Sequence, residues 1–113
     1  MPKTRQSVVE LQTYLRRADK LLTEEERRAV VDFLSLNPEA GTVMRGTGGA
    51  RKVRIGLDGR GKSGGARVIY YYHDPRFPLF LFAVYAKNEK DNLTQAERNA
   101  LKAAISAIIP KES

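Results

Sequence analysis

The sequence predicts an α+β fold, in which a small and mainly antiparallel sheet packs against helices. Apolar residues recur every three to four positions before residue 37 and after residue 94, which is typical of helices. Between these segments, residues 52–57 alternate between apolar and polar, and residues 66–72 and 78–86 form largely apolar runs of strand length. The length of 113 residues fits a single domain spanning 1–113.

The N-terminal third predicts a short strand followed by a helical hairpin. The strand is S-V-V-E-L (7–11), and residues 11–22 then carry apolar side chains at helical spacing. Thr23 and Glu26 match a capping box that begins a second helix, and the Asn37-Pro38 pair ends it. Four residues of the second helix are expected to be buried: Ala29, Val30, Phe33 and Leu34.

Three strands are predicted in the middle of the chain. Lys52 and Arg54 alternate with apolar residues, which indicates a half-buried strand with a cationic face. A glycine-rich loop (58–65) separates this strand from the next (66–72). The third run, residues 78–86, is apolar on both faces and therefore predicts an interior strand.

A final helix completes the element order. T-Q-A-E (94–97) matches a second capping box, and Pro110 ends the helix. Its apolar positions are Ala100, Leu101, Ala104, Ile105 and Ile108. The predicted order is β-α-α-β-β-β-α, with the helices expected on one face of the sheet.

Composition excludes several classes of protein. There is no cysteine and a single histidine, His73, so a disulfide framework and a thiol nucleophile are excluded, and we expect no metal site and no cofactor. No apolar run approaches the roughly 20 residues that cross a bilayer, and no secretory signal is evident, which favours a cytoplasmic protein. The formal charge of +7 favours an anionic partner such as nucleic acid.

Positive charge is concentrated in one window of the chain. Between Arg45 and Arg67 there are seven basic residues and one acid. If Arg67 points to the same side as Lys52 and Arg54, the three cations form a platform beside the glycine loop that carries Arg60 and Lys62. We interpret this window as a site for the phosphate backbone of a nucleic acid; the alternative is a solvated basic face.

Other motifs in this region have less specific interpretations. G-R-G-K-S (59–63) lacks the spacing of a phosphate-binding P-loop and precedes a strand, so nucleotide hydrolysis is rejected. Alternation sends Tyr71 to the opposite side from its tyrosine neighbours, and core packing is the expectation for each of them. Tyr85 ends the last strand, where it could stack on a base or handle a proton. His73 is interpreted as a surface residue of a proline turn.

Three sequence blocks resemble the RelE/ParE superfamily of bacterial toxins, and most closely its HigB-like branch. They are G-T-G-G-x-R-K (46–52), G-x-G-K-x-G-G-x-R-V-I-Y-Y (59–71) and V-Y-A-K-N-E (84–89). The resemblance extends over residues 8–109 and implies a RelE-like fold, with a small sheet and two N-terminal helices. It also implies a metal-independent endoribonuclease that cuts mRNA in the ribosomal A site and thereby inhibits translation.

The resemblance assigns roles to particular residues. Arg67 would hold the scissile phosphate, and Lys52 is the first candidate base, since a lysine among other cations can supply a neutral amine. The implied catalytic set is Lys52, Arg67, Tyr85 and Lys87. The implied RNA-binding set is Arg51, Arg54, Arg60 and Lys62. The general acid stays open, because D-N-L-T (91–94) lacks the tyrosine that RelE-type enzymes often place after the last strand.

The sequence is therefore compatible with three functions. The first is an mRNA interferase, the second is a ParE-like toxin that inhibits DNA gyrase without catalysis, and the third is a non-catalytic RNA- or ribosome-binding module. The clustered cations favour the first, because a gyrase inhibitor needs no phosphate pocket. Both toxin hypotheses imply a cognate antitoxin, which in HigB-like modules is usually a small helix-turn-helix protein.

Overall fold

The computed structural model describes residues 5–57, 65–86, 89 and 92–108. The elements in chain order are β1 (Val8–Glu10), α1 (Gln12–Leu21), α2 (Glu24–Leu36), β2 (Thr42–Val43), β3 (Arg51–Ile55), β4 (Ala66–Tyr71), β5 (Leu79–Ala86) and α3 (Gln95–Ile108). Within these residues, five strands form one sheet in the order β1-β5-β4-β3-β2. The pairing of β1 with β5 is parallel and the other three pairings are antiparallel, which confirms the predicted α+β class and mainly antiparallel sheet. The short strand β2 was not predicted.

The helical hairpin forms as the sequence patterns indicate. Thr23 Oγ1 accepts a hydrogen bond from the N–H of Glu26, and the Glu26 carboxylate accepts one from the N–H of Thr23, so the predicted capping box is confirmed. On α2, Val30 and Leu34 are fully buried, but Ala29 and Phe33 are exposed, so the prediction for these two was wrong. Residues 30 and 34 lie one turn apart toward the sheet, and each preceding residue is rotated by about 100° toward solvent.

The helices lie on both faces of the sheet, so the expectation that they share one face is wrong. Helices α1 and α2 cover one face, where Tyr14 and Val30 pack against strand residues such as Val68. Helix α3 covers part of the other face, where Ile105 packs against Ile69. We call the first the closed face and the second the half-open face. Sequence patterns mark which side of a strand is apolar, but both sides of β5 are apolar, so the pattern could not assign α3 to a face.

Helix α3 begins at the second predicted capping box. The Thr94 N–H donates to the Glu97 carboxylate at 2.7 Å, and the Glu97 N–H donates to Thr94 Oγ1 at 3.1 Å, which confirms the motif. Of its predicted apolar positions, Ile105 is buried, three others are partly buried and Ala100 is exposed. The helix therefore rests on the sheet along a narrow stripe. In the part of the chain that the structure describes, no helix is both long and apolar enough to cross a membrane.

The G-T-G-G block forms the tight loop between β2 and β3. Thr47 is fully buried, donates to the Met44 carbonyl at 2.7 Å and accepts from the Ala50 N–H at 2.9 Å. Gly48 and Gly49 have φ angles of +76° and +109°, which side-chain-bearing residues rarely adopt. This block therefore fixes a loop that packs against α3, and its contacts are structural.

Candidate functional site

A row of polar side chains crosses the half-open face of the sheet. Arg54 on β3 lies opposite Arg67 on β4, and Arg67 lies opposite Tyr85 on β5. Side chains that are directly opposite on antiparallel strands have Cβ atoms about 4.5–5.5 Å apart, so the three side chains are immediate neighbours. The strand pairing thus puts Arg67 on the same side as Arg54, which is the condition that the platform interpretation set.

Lys52 extends this row toward β2. It is paired with Ile69 of β4, so its side chain lies on the same face as that of Arg67. Because Ile69 and Arg67 are two residues apart on β4, Lys52 and Arg67 are diagonal neighbours. A cavity of 420 Å³ opens here, lined by Thr42, Lys52, Val53, Arg54 and Arg67. None of these described lining residues is acidic, and together they carry three cationic side chains. Such a concave, cationic surface suits the phosphate groups of an extended nucleic acid strand.

Tyr85 joins this row because of a bulge in β5. Tyr70 is paired with Leu81, but the preceding residue Ile69 is paired with Ala83, so Phe82 is an extra residue on β5. A regular register would have put Val84 opposite Arg67 and turned Tyr85 to the closed face. A one-residue shift exchanges the two faces of a strand, so the bulge decides that Tyr85 meets the cations.

Helix α3 contributes a cation that sequence reasoning missed. Arg98 lies in the first turns of α3, and its Nη1 donates to the Arg45 carbonyl at 2.6 Å. It lines a second, narrow cavity together with Lys52, Arg67 and Tyr85. The sequence offered no signal for this role, because only the placement of α3 over the half-open face brings Arg98 to the site. We therefore add Arg98 to the candidate site.

Several predicted site residues are not part of this group. Arg51 points to the closed face, where Nη1 donates to the carbonyls of Gly41 at 2.7 Å and Glu39 at 3.4 Å. Its position next to Lys52 on a strand turns it away from the cations, because successive side chains alternate. Three other predicted residues, Arg60, Lys62 and Lys87, lie outside the described residues.

The tyrosines of β4 divide between the two faces. Tyr70 is fully buried on the closed face; its hydroxyl donates to the Pro38 carbonyl at 2.9 Å and accepts from the Gly41 N–H at 2.8 Å. Burial raises the pKa of Tyr70 above its ordinary value. Tyr71 is buried on the half-open face, and its hydroxyl lies 3.2 Å from His73 Nδ1. These tyrosines therefore have structural contacts, and His73 lies in the turn after β4.

Two other cavities are chemically less suited to an anion. One of 320 Å³ lies beside β1 and α2, where Arg27 and Arg28 are accompanied by the carboxylates of Glu10, Glu24 and Asp32. The other, of 240 Å³, is an apolar groove between α3 and β5 that begins at Tyr85. Among the described residues, no group of three or more histidine, cysteine, aspartate or glutamate side chains could hold a metal ion.

Sheet order, helical hairpin and cationic cavity together define the class of this protein as a small, basic α+β protein with a cationic groove. The model of the family described as RelE toxin of the RelE / RelB toxin-antitoxin system matches residues 36–111. The chain therefore belongs to the RelE toxin family, whose members are paired with an antitoxin. A solved structure of a double mutant of the E. coli toxin RelE in the free state has a similar fold, with a TM-score of 0.57 at 17% identity over 90% of this chain and 98% of that chain. The RelE/ParE resemblance is thus confirmed at the level of the family, and the HigB-like branch stays a prediction.

Proposed function

We propose that this toxin is a metal-independent endoribonuclease that cuts mRNA in the ribosomal A site and thereby inhibits translation. The observation that carries the proposal is the cross-strand row of Arg54, Arg67 and Tyr85, with Lys52 beside it. The row combines two cations for phosphate oxygens with a ring for a base or a leaving oxygen. The proposal also rests on membership of the RelE family, which does not favour the gyrase inhibitor or the non-catalytic binding module.

The chemistry assigned to the site is an internal phosphoryl transfer. The 2′-oxygen of the RNA attacks the adjacent phosphorus, the bond from phosphorus to the 5′-oxygen breaks, and a 2′,3′-cyclic phosphate forms. Lys52 accepts the proton of the 2′-hydroxyl, and a proton is delivered to the departing 5′-oxygen. Water can then open the cyclic product to a 3′-phosphate. Tyr85 and Lys87 are the candidates for the second proton transfer.

Arginine side chains stabilise the charge that develops during this step. Arg67 lies at the centre of the row and holds the scissile phosphate through its planar fork of N–H donors. Arg54 and Arg98, on either side, neutralise neighbouring phosphates and hold the strand in the groove. These arginines bind charge and do not act as bases.

The same surface is the proposed docking site for the antitoxin. A cluster of cations in a groove is complementary to an acidic or groove-filling partner, and such a partner would exclude the mRNA. The HigB-like resemblance makes a helix-turn-helix antitoxin the expected partner. We place the activity in the cytoplasm, because the proposed substrate is mRNA on a translating ribosome.

The test is to induce the wild-type toxin and the variants Lys52→Ala and Arg67→Ala in bacteria and to map RNA 5′ ends. The expected result is cuts within translated messages in the wild type and their loss in both variants. Arg16→Ala is the control, because it removes the same charge from an exposed position on α1. Cleavage that persists undiminished in both variants would contradict the assignment of the site.

A parallel assay separates the proposal from its alternatives. Purified wild-type toxin is added to a gyrase supercoiling reaction and, separately, to ribosomes programmed with mRNA. Inhibited gyrase with intact mRNA would establish the ParE-like function. Ribosome binding without cleavage, weakened in proportion by both variants, would establish a non-catalytic module.

A further inference from the structure

Side chains of α1 border the part of the β5 edge that is not paired with β1. Strand β1 is paired with β5 only from Leu79 to Leu81. Beyond that point, Thr13 Oγ1 donates to the Phe82 carbonyl at 3.0 Å, and Arg17 Nε donates to the Val84 carbonyl at 2.7 Å. Four residues of helix advance about 6 Å and two residues of strand advance roughly 6.6 Å, so side chains four apart on α1 match alternate carbonyls on β5.

Arg17 reaches past this edge to the ring of Tyr85. Its guanidinium carbon lies 4.4 Å from the centroid of the Tyr85 ring, which covers one side of that ring. The other end of the guanidinium pairs with the Glu89 carboxylate. Glu89 in turn accepts from the Ala86 N–H at 3.1 Å and donates its own N–H to the Ala86 carbonyl at 3.0 Å. The guanidinium is thus held at the end of β5 by a carbonyl and a carboxylate while it stacks on the ring.

We propose that Arg17 is a positioning residue, which fixes the Tyr85 ring so that the ring receives a nucleobase of the bound RNA. This inference rests on the proposed RNA-binding function. A planar guanidinium can stack and donate hydrogen bonds in its own plane at once, which an ammonium group cannot do. The carboxylate of Glu89 balances the charge of Arg17, so Arg17 acts through the ring and not as a phosphate ligand.

The Tyr85 ring borders two cavities, which supports a base as its ligand. It lines the narrow cavity that contains Lys52, Arg67 and Arg98. It also lines the apolar groove below α3, together with residues such as Leu101. A nucleotide whose phosphate lies among the cations can therefore direct its base toward an aromatic and apolar surface.

The experiment combines cleavage with a spectroscopic measure of stacking. Arg17→Ala, Arg17→Lys, Arg17→Gln and Tyr85→Leu are each made alone, and Arg17→Ala is combined with Tyr85→Leu. Single-turnover cleavage is measured on programmed ribosomes, and binding is followed with a short RNA that contains the fluorescent base 2-aminopurine. The expected result is cleavage about tenfold slower in Arg17→Ala, weaker quenching of 2-aminopurine, and no additional effect of Arg17→Ala when Tyr85 is absent.

Further variants separate positioning from folding. Arg17→Lys keeps a cation and should recover part of the rate, whereas Arg17→Gln keeps a donor for the Val84 carbonyl and should recover stability more than rate. Arg16→Ala, on the exposed side of the same helix, should cleave within about twofold of the wild type. In the wild type, the side-chain protons of Arg17 should show an upfield ring-current shift in NMR spectra, which Tyr85→Leu abolishes.

The outcomes that overturn the inference differ from those that overturn the function. The inference is refuted if Arg17→Ala slows cleavage equally with and without Tyr85. It is also refuted if Arg17→Ala cleaves RNA and quenches 2-aminopurine as the wild type does. In both cases the nuclease proposal stands. If the wild type cleaves nothing but quenches 2-aminopurine in an Arg17-dependent way, the nuclease proposal fails and the base platform stands.

Discussion

The two faces of the sheet use the same strands for different purposes. On β4, Val68 is fully buried on the closed face, whereas its neighbour Arg67 lies partly exposed among cations on the half-open face. The closed face is covered by α1 and α2, and the half-open face only partly by α3. Cations placed side by side repel one another and oppose folding. The comparison indicates that apolar packing on the closed face offsets this cost, while the proposed function uses the opposite side of the strands.

The largest expected effect is on the closed face. Leu81 is fully buried in the core cluster, so Leu81→Ala should lower the free energy of unfolding by about 2–5 kcal/mol through lost burial and an internal cavity. Urea unfolding monitored by circular dichroism measures this change. Arg54→Ala, on the exposed side of β3, is the matched truncation on the other face. A decrease of less than about 1 kcal/mol in the free energy of unfolding of Leu81→Ala would contradict the claim that packing on the closed face stabilises the protein.

The next effect concerns activity on the half-open face. Arg67→Ala should slow cleavage by about 100- to 1,000-fold, the usual effect of removing one donor to a charged transition state. Its free energy of unfolding should change by less than about 1 kcal/mol, because Arg67 is partly exposed and lies outside the apolar core. Arg67→Lys keeps the charge without the planar fork and should give an intermediate rate.

Single-turnover rates and urea unfolding on the same preparations check this second prediction. If Arg67→Ala unfolds as readily as Leu81→Ala does, the loss of activity would reflect folding. The effects of substitutions on stability and on activity would then not divide between the two faces.

A third prediction compares two consecutive tyrosines of β4 whose side chains point to opposite faces of the sheet. Tyr70→Phe leaves the buried Gly41 N–H without its acceptor and should cost about 1–3 kcal/mol of stability. Tyr71→Phe loses only a contact to His73 in a partly exposed turn and should cost less. Thermal and urea unfolding of both variants would rank them, and a larger loss for Tyr71→Phe would reverse the comparison.

Local patterns predicted the elements of this fold better than its site. Both capping boxes depend on residues three apart, and the cationic side of β3 follows from simple alternation, so each could be identified from a short stretch of sequence. The bulge at Phe82 could not, because alternation from Leu79 and Leu81 places Tyr85 on the closed face. The position of a bulge depends on how two strands pair, which the pattern of one strand does not contain.

The same limit applies to the residues contributed by helices. Arg98 and Arg17 lie far from the basic window in sequence, and neither belongs to a recognisable motif. Each reaches the site because a helix is packed over a strand end, so its role depends on tertiary structure alone. Conversely, Arg51 lies inside the window but is turned to the opposite face by the alternation that places Lys52 correctly.

The smallest expected effect concerns Tyr14, at the centre of the closed face. Its side chain is fully buried, and its hydroxyl has no hydrogen-bond partner among the described residues. Tyr14→Phe removes this hydroxyl and should leave stability unchanged or raise it by up to about 1 kcal/mol at pH 7. Urea unfolding checks this, and a loss of more than about 1 kcal/mol would show that the hydroxyl has a partner.

The pH dependence of the same variant gives a second test. Burial, with a smaller contribution from Glu10, raises the pKa of Tyr14 well above its ordinary value of 10.0. Above about pH 10 the unfolded chain therefore releases this proton while the folded chain keeps it, so wild-type stability falls as the pH rises. Phenylalanine does not ionise, so its stability does not have this pH dependence. The difference in free energy of unfolding between Tyr14→Phe and the wild type should therefore increase between about pH 9 and pH 11, the range in which a phenol of ordinary pKa ionises in the unfolded chain. A constant difference across this range would mean that the closed face admits water at its centre, and the contrast between the two faces would then be one of charge alone.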